Sequence, residues 1–214
     1  MPVRNVHKTP ETHFLIARQD IAKAMNAGEL VGVLHSHTRA DPSSGAGLCP
    51  SEADTVSQID SGLPFYVTAL SGRRNYMDFF SWGDELPTPP IGERIFRHAM
   101  TDCYALVRHA YFNATGIVLK DFPRPLSWWD SPNGPNPIED GLSNSGWVEI
   151  PSESLQPGDG LLFALRGGII QHCGLYVGGD LFLHHLHGRL SSVDPLPQWR
   201  RFLRKSVRYA PGAQ

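Results

Sequence analysis

The sequence predicts an α+β protein built as two domains, and three patterns carry that expectation. A proline-rich stretch, DELPTPPIGE over 84–93, separates two halves that each hold their own apolar runs. The second half reads as a helix followed by consecutive antiparallel strands, an α+β order. The first half reads as a strand, a helix and two further strands, a small α/β unit. The domains are therefore drawn at 1–83 and 93–214, joined by a linker over 84–92. With 41% hydrophobic and 19% charged residues in 214, there is enough apolar material for a core, and 21 glycines with 18 prolines favour turns over long helices.

A net charge of −2 gives no signal for nucleic acid or an anionic membrane. No run approaches the roughly 18 apolar residues of a membrane helix. The N-terminus, MPVRNVHKTPETHF, lacks the apolar core of a secretory signal, so delivery to a cell wall would depend on something else. Cys49, Cys103 and Cys173 are an odd set at wide spacing, which is no disulfide framework. The histidines gather at 35/37, 98/109 and 172/184/185/187, where a reactive site could use them.

In chain order, Ile21, Ala22, Ala24 and Met25 form an apolar helical face, with Asp20 as N-cap and Gly28 as the stop. Leu30 to Leu34 reads as a short buried strand delivering His35-Ser36-His37 at its end. Ser51-Glu52-Ala53-Asp54 looks like a helix start with acids in its first turn. Residues 64–70 and 75–82 read as strands joined by a turn at Ser71-Gly72-Arg73-Arg74. After the linker, 102–114 has helical spacing, with Leu106, Val107, Ala110 and Tyr111 on one side, and stops before Gly116. The stretch FPRPLSWWDSPNGPNP follows. Leu155-Gln156-Pro157-Gly158-Asp159 is a turn signal ahead of a strand over 160–165. Strands over 170–177 and 181–185 are joined by a tight turn at Gly178-Gly179-Asp180.

Cys103 falls in the first turn of the 102–114 helix, where unpaired N–H groups and the helix dipole favour a thiolate and could hold an oxyanion. His172, on a later strand, can serve as its base. His184, across the tight turn, can face His172 and orient it, as a carboxylate does in other triads. Cys173 follows His172 directly and so points to the opposite strand face, into the core. Cys49 is a loop residue. A buried helical cysteine with no chemistry is the bland alternative for Cys103.

The segments DCYALVRHAYFNATGIVL, LQPGDGLLF and HCGLYVGGDLFLHH resemble, in order and spacing, the NlpC-type cell-wall cysteine peptidases. The match lies in a Cys opening a helix, a PGD turn before a strand, and a His-x-Gly-x-Tyr strand followed by a third polar residue. The resemblance implies a papain-like α+β domain with an antiparallel sheet. It makes Cys103 the nucleophile, His172 the base and His184 the orienting residue, and peptidoglycan stem peptides the substrate. Trp128 and Trp129 read equally as a substrate-groove wall or as the closed edge of the core.

His35 and His37 alternate along a strand and face the same way. Two imidazoles with Asp54 as an oxygen ligand would leave a fourth position for water on Zn²⁺. The run HSHTRADPSSGAGLCPSEAD has the form H-x-H-x13-S-x-x-D and resembles the JAMM (Mov34-type) metalloprotease motif. That resemblance implies zinc on His35, His37 and Asp54, with Ser51 as polar helper. The family's general base is a Glu well upstream, and only Glu11 and Glu29 are acids available before His35. The domain thus reads as a JAMM-like fold without its front end. A zinc site without hydrolysis and a histidine pair without zinc stand as parallel readings.

The two modules in this order resemble a group of siphophage tail-tip proteins. That pairing implies a virion protein acting at the host wall during DNA entry, with other tail-tip proteins as partners. An assembly component with an idle peptidase fold is the main rival, and a bacterial wall-remodelling hydrolase a weaker one.

Overall fold

The computed structural model describes residues 1–10, 13–41, 43, 46–73, 75–131 and 133–212. It divides into two compact units, Met1–Cys49 with Ser57–Pro87, and Pro50–Val56 with Thr88–Gln214. No helix among the described residues is long and apolar enough to cross a membrane.

In the first unit, α1 (Arg18–Ala27) starts three residues earlier than the apolar pattern suggested. Ala17 is its N-cap, without a side-chain hydrogen bond, and Asp20 sits inside the first turn. The end at Gly28 is as expected, and its N–H closes on the Ala24 carbonyl. The apolar face is not buried: Ile21 and Met25 are exposed. Leu30 to Leu34 is not a buried strand either. The strand is β1 (Val33–His37), and it carries the histidines within it. It is an edge strand beside β2 (Phe65–Leu70), which pairs with β3 (Tyr76–Trp82). β1 runs parallel to β2, and β2 antiparallel to β3. Val33, His35 and His37 share one partly covered face, while Leu34 on the other is exposed. Phe65, Val67, Ala69, Phe80 and Trp82 are the buried residues of this sheet. Within the expected turn between β2 and β3, Arg74 lies outside the described residues.

Helix α2 (Glu52–Ser61) begins where Ser-Glu-Ala-Asp predicted. Ser51 caps it reciprocally: the Asp54 N–H donates to Ser51 Oγ at 3.1 Å, and the Ser51 N–H donates to Asp54 Oδ2 at 2.8 Å. That is a capping box with Asp in the acidic position.

The second unit is a six-stranded antiparallel sheet with helices on one face. Its elements are α3 (Cys103–Thr115), α4 (Pro137–Ser143), β4 (Trp147–Ile150), β5 (Gly160–Phe163), β6 (His172–Gly178), β7 (Leu181–His184), β8 (Ser192–Pro195) and β9 (Leu203–Tyr209). The strand order is β4-β9-β5-β6-β7-β8. The expected meander is therefore present from β5 to β7, β8 extends it by one strand, and the chain then returns to insert β9 beside β5. The sequence pattern did not reveal α4, β4, β8 or β9. Asn136 opens α4, accepting from the N–H groups of Ile138 and Glu139, and Pro137 takes the first helical position.

Strand β5 is buried at all four positions because the sheet is covered on both faces. On one face Leu162, Cys173, Leu175, Leu183 and Val207 pack with Cys103, Leu106, Val107 and Ala110 of α3. On the other, Leu161, Phe163 and Phe182 pack with Leu196, Trp199 and Phe202. Each fully buried Leu or Phe contributes about 1.5–3 kcal/mol relative to exposure. The PGD turn is clamped by Arg208, whose Nε and Nη2 donate to the two Asp159 carboxylate oxygens, each at 2.7 Å.

The start of α3 is fastened most strongly. Asp102 is its N-cap, accepting from the Ala105 N–H through Oδ1 at 2.9 Å and from the Ala99 N–H through Oδ2 at 2.9 Å. Arg124 donates to the same Oδ2 at 2.7 Å, and its Nη1 donates to Asp121 and to the Phe122 carbonyl. Its guanidinium also lies over the Tyr104 and Phe122 rings. Burial pushes the Asp102 carboxyl up, but the Arg124 charge and hydrogen bond carry it below its ordinary value. At the other end Gly116, with φ of 73°, takes the left-handed conformation that closes the helix.

Arg124→Met should lower unfolding stability by about 3–5 kcal/mol in chemical denaturation, because it leaves Asp102 charged, buried and unpaired. Asp102→Asn combined with Arg124→Met should cost less than the two single losses added together.

Candidate active site

Cys103 is the first residue of α3, directly after the Asp102 cap, where the sequence placed it. His172 is the first residue of β6, at the end of the strand, and His184 the last residue of β7. The hairpin pairs Gly174 with His184. A side chain at Gly174 would collide with the Leu183 carbonyl, 2.8 Å from an added Cβ, and with the Phe182 ring. That close approach gives the His-x-Gly pattern a structural reason.

The three residues converge. His172 stands close enough to Cys103 to help draw its thiol down. His172 Nε2 lies 3.0 Å from His184 Nδ1. Both imidazoles are buried, and Phe163, Phe182 and Trp199 surround them; the Trp199 ring meets His184 edge-on at 4.7 Å. Burial pushes His184 down to about 4, against the pull of the Asp194 carboxylate, so it is a neutral ring near pH 7. His184 Nε2 lies 3.2 Å from Asp194 Oδ2, on the edge strand β8. The sequence reading had no place for Asp194, because β8 has no apolar alternation to mark it as a strand.

Cys173 is buried, as expected, in the core that faces α3. That core also holds Cys103. Cys173 is thus a neighbour of Cys103 as well as a packing residue. Interaction with Cys173, joined by that with His172, holds the Cys103 thiol well below the ordinary range against the cost of burial. Cys173 is pushed well above it, first by the same contact and then by burial. Of the pair, the thiol at the helix start is the one drawn toward the thiolate, in line with the partial positive charge there.

Trp128 and Trp129 differ in how far they are covered. Trp128 packs against the core cluster. Trp129 is exposed and stands edge-on to His98 at 5.5 Å. Cys49 is buried.

In the first unit, His35 Nε2 and His37 Nε2 are 3.2 Å apart. His37 Nδ1 lies 3.0 Å from the Gly47 carbonyl, to which only an Nδ1–H can donate, so its Nε2 carries a lone pair. His35 stacks on Phe14. In the second unit, Asp54 is buried and its Oδ2 accepts from both the N–H and the hydroxyl of Ser51. Glu29 is exposed between α1 and β1, and Glu11 lies outside the described residues.

A cysteine at a helix start beside two histidines is an arrangement that cysteine peptidase chemistry can use. The NlpC/P60 family model matches residues 78–207, and the chain belongs to that family, one of cysteine peptidases. The chain is similar to the tail tip assembly protein K of Escherichia phage lambda, 34% identical over 184 residues that cover 86% of this chain and 83% of that protein. It is also similar to the tail tip assembly protein K of Escherichia phage N15, 29% identical over 216 residues covering 97% and 81%. Among solved structures it matches NlpC2 from Trichomonas vaginalis at 20% identity and a TM-score of 0.38, over 53% of this chain and 40% of that one.

Iodoacetamide near pH 7 should alkylate Cys103 and leave Cys173 unmodified, as read by peptide mass spectrometry. In Cys173→Ala the alkylation profile of Cys103 should move to higher pH. His184, depressed in the folded state, stabilises the fold above its unfolded pKa of about 6.5. That contribution should be lost as pH falls towards about 4, visible as a decline in denaturation midpoint that His184→Gln lessens.

Proposed function

We propose that the chain is a phage tail-tip peptidase that cleaves peptidoglycan stem peptides and opens the cell wall during DNA entry. The observation that carries this is the line from Cys103 through His172 to His184 at the capped start of α3. The relatives' name, tail tip assembly protein, supports the place of action, and a virion would carry the enzyme to its substrate.

In this reading the Cys103 thiolate attacks the scissile carbonyl carbon, and the carbonyl oxygen becomes an oxyanion. The N–H groups of Cys103 and Tyr104 are its donors: helix geometry gives them no intrahelical partner, whereas the Ala105 N–H is held by the cap. The C–N bond breaks as protonated His172 gives its proton to the leaving amine, and a thioester remains. Water, losing a proton to His172, attacks the thioester and returns the Cys103 thiolate. His184 keeps the His172 ring in line throughout.

A second reading follows from the word assembly in the relatives' name: the domain is a structural part of the tail tip, with other tail-tip proteins as partners. Reactive labelling at Cys103 favours the enzyme.

For the first half, the JAMM-like reading assigns a zinc ion to His35, His37 and Asp54, with Ser51 beside them. The histidine pair suits the ion, because a tetrahedral zinc sets two ligand nitrogens roughly 3.3 Å apart. Bound there, zinc would polarise a carbonyl or a water molecule. Ser51 and Asp54 already serve each other in the capping box, so the motif's Ser-x-x-Asp has a structural use as well. No glutamate base is assigned, and the site is read as one that binds without hydrolysis.

Purified protein should release muropeptides from sacculi, and Cys103→Ala should abolish that release while leaving the fold intact. His172→Ala should lose nearly all activity, and His184→Gln should keep a fraction, because an amide can still orient the ring. Full activity in Cys103→Ala would sink the peptidase reading. With Cys103 blocked, zinc-loaded protein should show no chelator-sensitive turnover of isopeptide or stem-peptide substrates. Metal analysis should find zinc that disappears in a His35→Ala/His37→Ala variant.

A further inference from the structure

We propose that Asp194 is a positioning residue of the cysteine site, the fourth member of a relay that decides which nitrogen of each imidazole carries the proton. The inference rests on the peptidase reading for its consequence in turnover, but its geometry stands independently.

Strand β8 pairs with β7 so that Ser192 lies opposite His184 and Asp194 opposite Phe182. Directly opposed residues share a face, and residues two apart along a strand share it too, so Asp194 and His184 project to the same side. Asp194 Oδ2 then lies 3.2 Å from His184 Nε2. The nearest competitor, Ser192 Oγ, is 3.5 Å from the same nitrogen. A hydroxyl can donate or accept and therefore selects no tautomer, whereas a carboxylate only accepts. Asp194 thus places the proton of His184 on Nε2.

The rest follows from one proton per neutral ring. With Nε2–H turned to Asp194, Nδ1 of His184 holds a lone pair, and it faces His172 Nε2 at 3.0 Å. His172 must then donate from Nε2, which leaves the lone pair on its Nδ1. That nitrogen is the one available to take the Cys103 proton. After the transfer, both His172 nitrogens bear protons and Nε2–H still donates to a neutral His184. The charged and titratable groups that act on His184 are His172 from β6, Asp194 from β8, and Arg189 from the β7–β8 connection, whose charge opposes that of Asp194. Without the carboxylate, His184 is free to turn its proton toward His172, where two N–H groups would meet and the base would lose its orientation.

The test compares wild type with Asp194→Asn and Asp194→Leu in the full chain. Asn keeps an acceptor oxygen at the same place, and Leu removes it. Nitrogen NMR of the histidine rings should show His184 as Nε2–H in wild type and Asp194→Asn, and mixed or reversed in Asp194→Leu. The pH profile of Cys103 alkylation should move upward in Asp194→Leu and much less in Asp194→Asn. Muropeptide release should fall in kcat by about tenfold to a hundredfold in Asp194→Leu with KM little changed, and recover largely in Asp194→Asn. An Asp194→Leu protein with wild-type tautomers and a wild-type alkylation profile would overturn the proposal. If wild type itself releases nothing from sacculi, the peptidase reading fails, while the tautomer and alkylation measurements still decide the role of Asp194.

Discussion

The ion pair between Arg124 and Asp102 holds the first turn of α3, and the chemistry of the second unit depends on where that turn lies. Asp102 uses one carboxylate oxygen to cap the helix and the other to hold the Ala99 N–H and Arg124. The next residue is Cys103. Any slack in the cap would move the sulfur relative to His172, which stands on a different element about seventy positions away in the chain. A buried pair of this kind adds little net stability but is costly to break. It serves here as a register lock more than as a source of free energy.

A second constraint is the double cover of the sheet. The face that carries Cys173 packs on α3, so the strand residue next to His172 also meets Cys103. The face that carries His172 and His184 is closed by Phe163, Phe182 and Trp199. Removing water from both sides strengthens each hydrogen bond along the relay and keeps His184 neutral. Both effects come from packing around the site and would be absent from the same residues on an exposed hairpin.

The first unit follows a different logic. Its histidines sit within an edge strand, so that period-two alternation alone brings two imidazole nitrogens to 3.2 Å. No buried helix or distant ion pair is needed to bring that pair together. The Gly47 carbonyl sets the tautomer of His37, the same device that a carboxylate provides for His184.

Sequence by itself determined what is local or repeats a short pattern. Asp-Cys ahead of an apolar helical face placed Cys103 at a helix start, Gly116 ended that helix, and His172 and His184 on either side of a Gly-Gly-Asp turn defined a facing pair. Ser-x-x-Asp marked the start of α2, and His-x-His a shared strand face. The sequence pattern misread Leu30 to Leu34 as buried, because a run of apolar residues does not say whether a strand is central or at an edge. Its helical face on α1 has the right period and no partner. The tertiary structure alone decided the roles of Arg124, Cys173 and Asp194. Each acts on a residue from another element through a separation set by helix packing or strand register, and neither composition nor spacing encodes that distance. Strands β8 and β9 were invisible for the same reason: Ser-Val-Asp-Pro and Leu-Arg-Lys-Ser-Val-Arg-Tyr become strands by pairing with neighbours already in place, and only that pairing brings a carboxylate to the end of the histidine line.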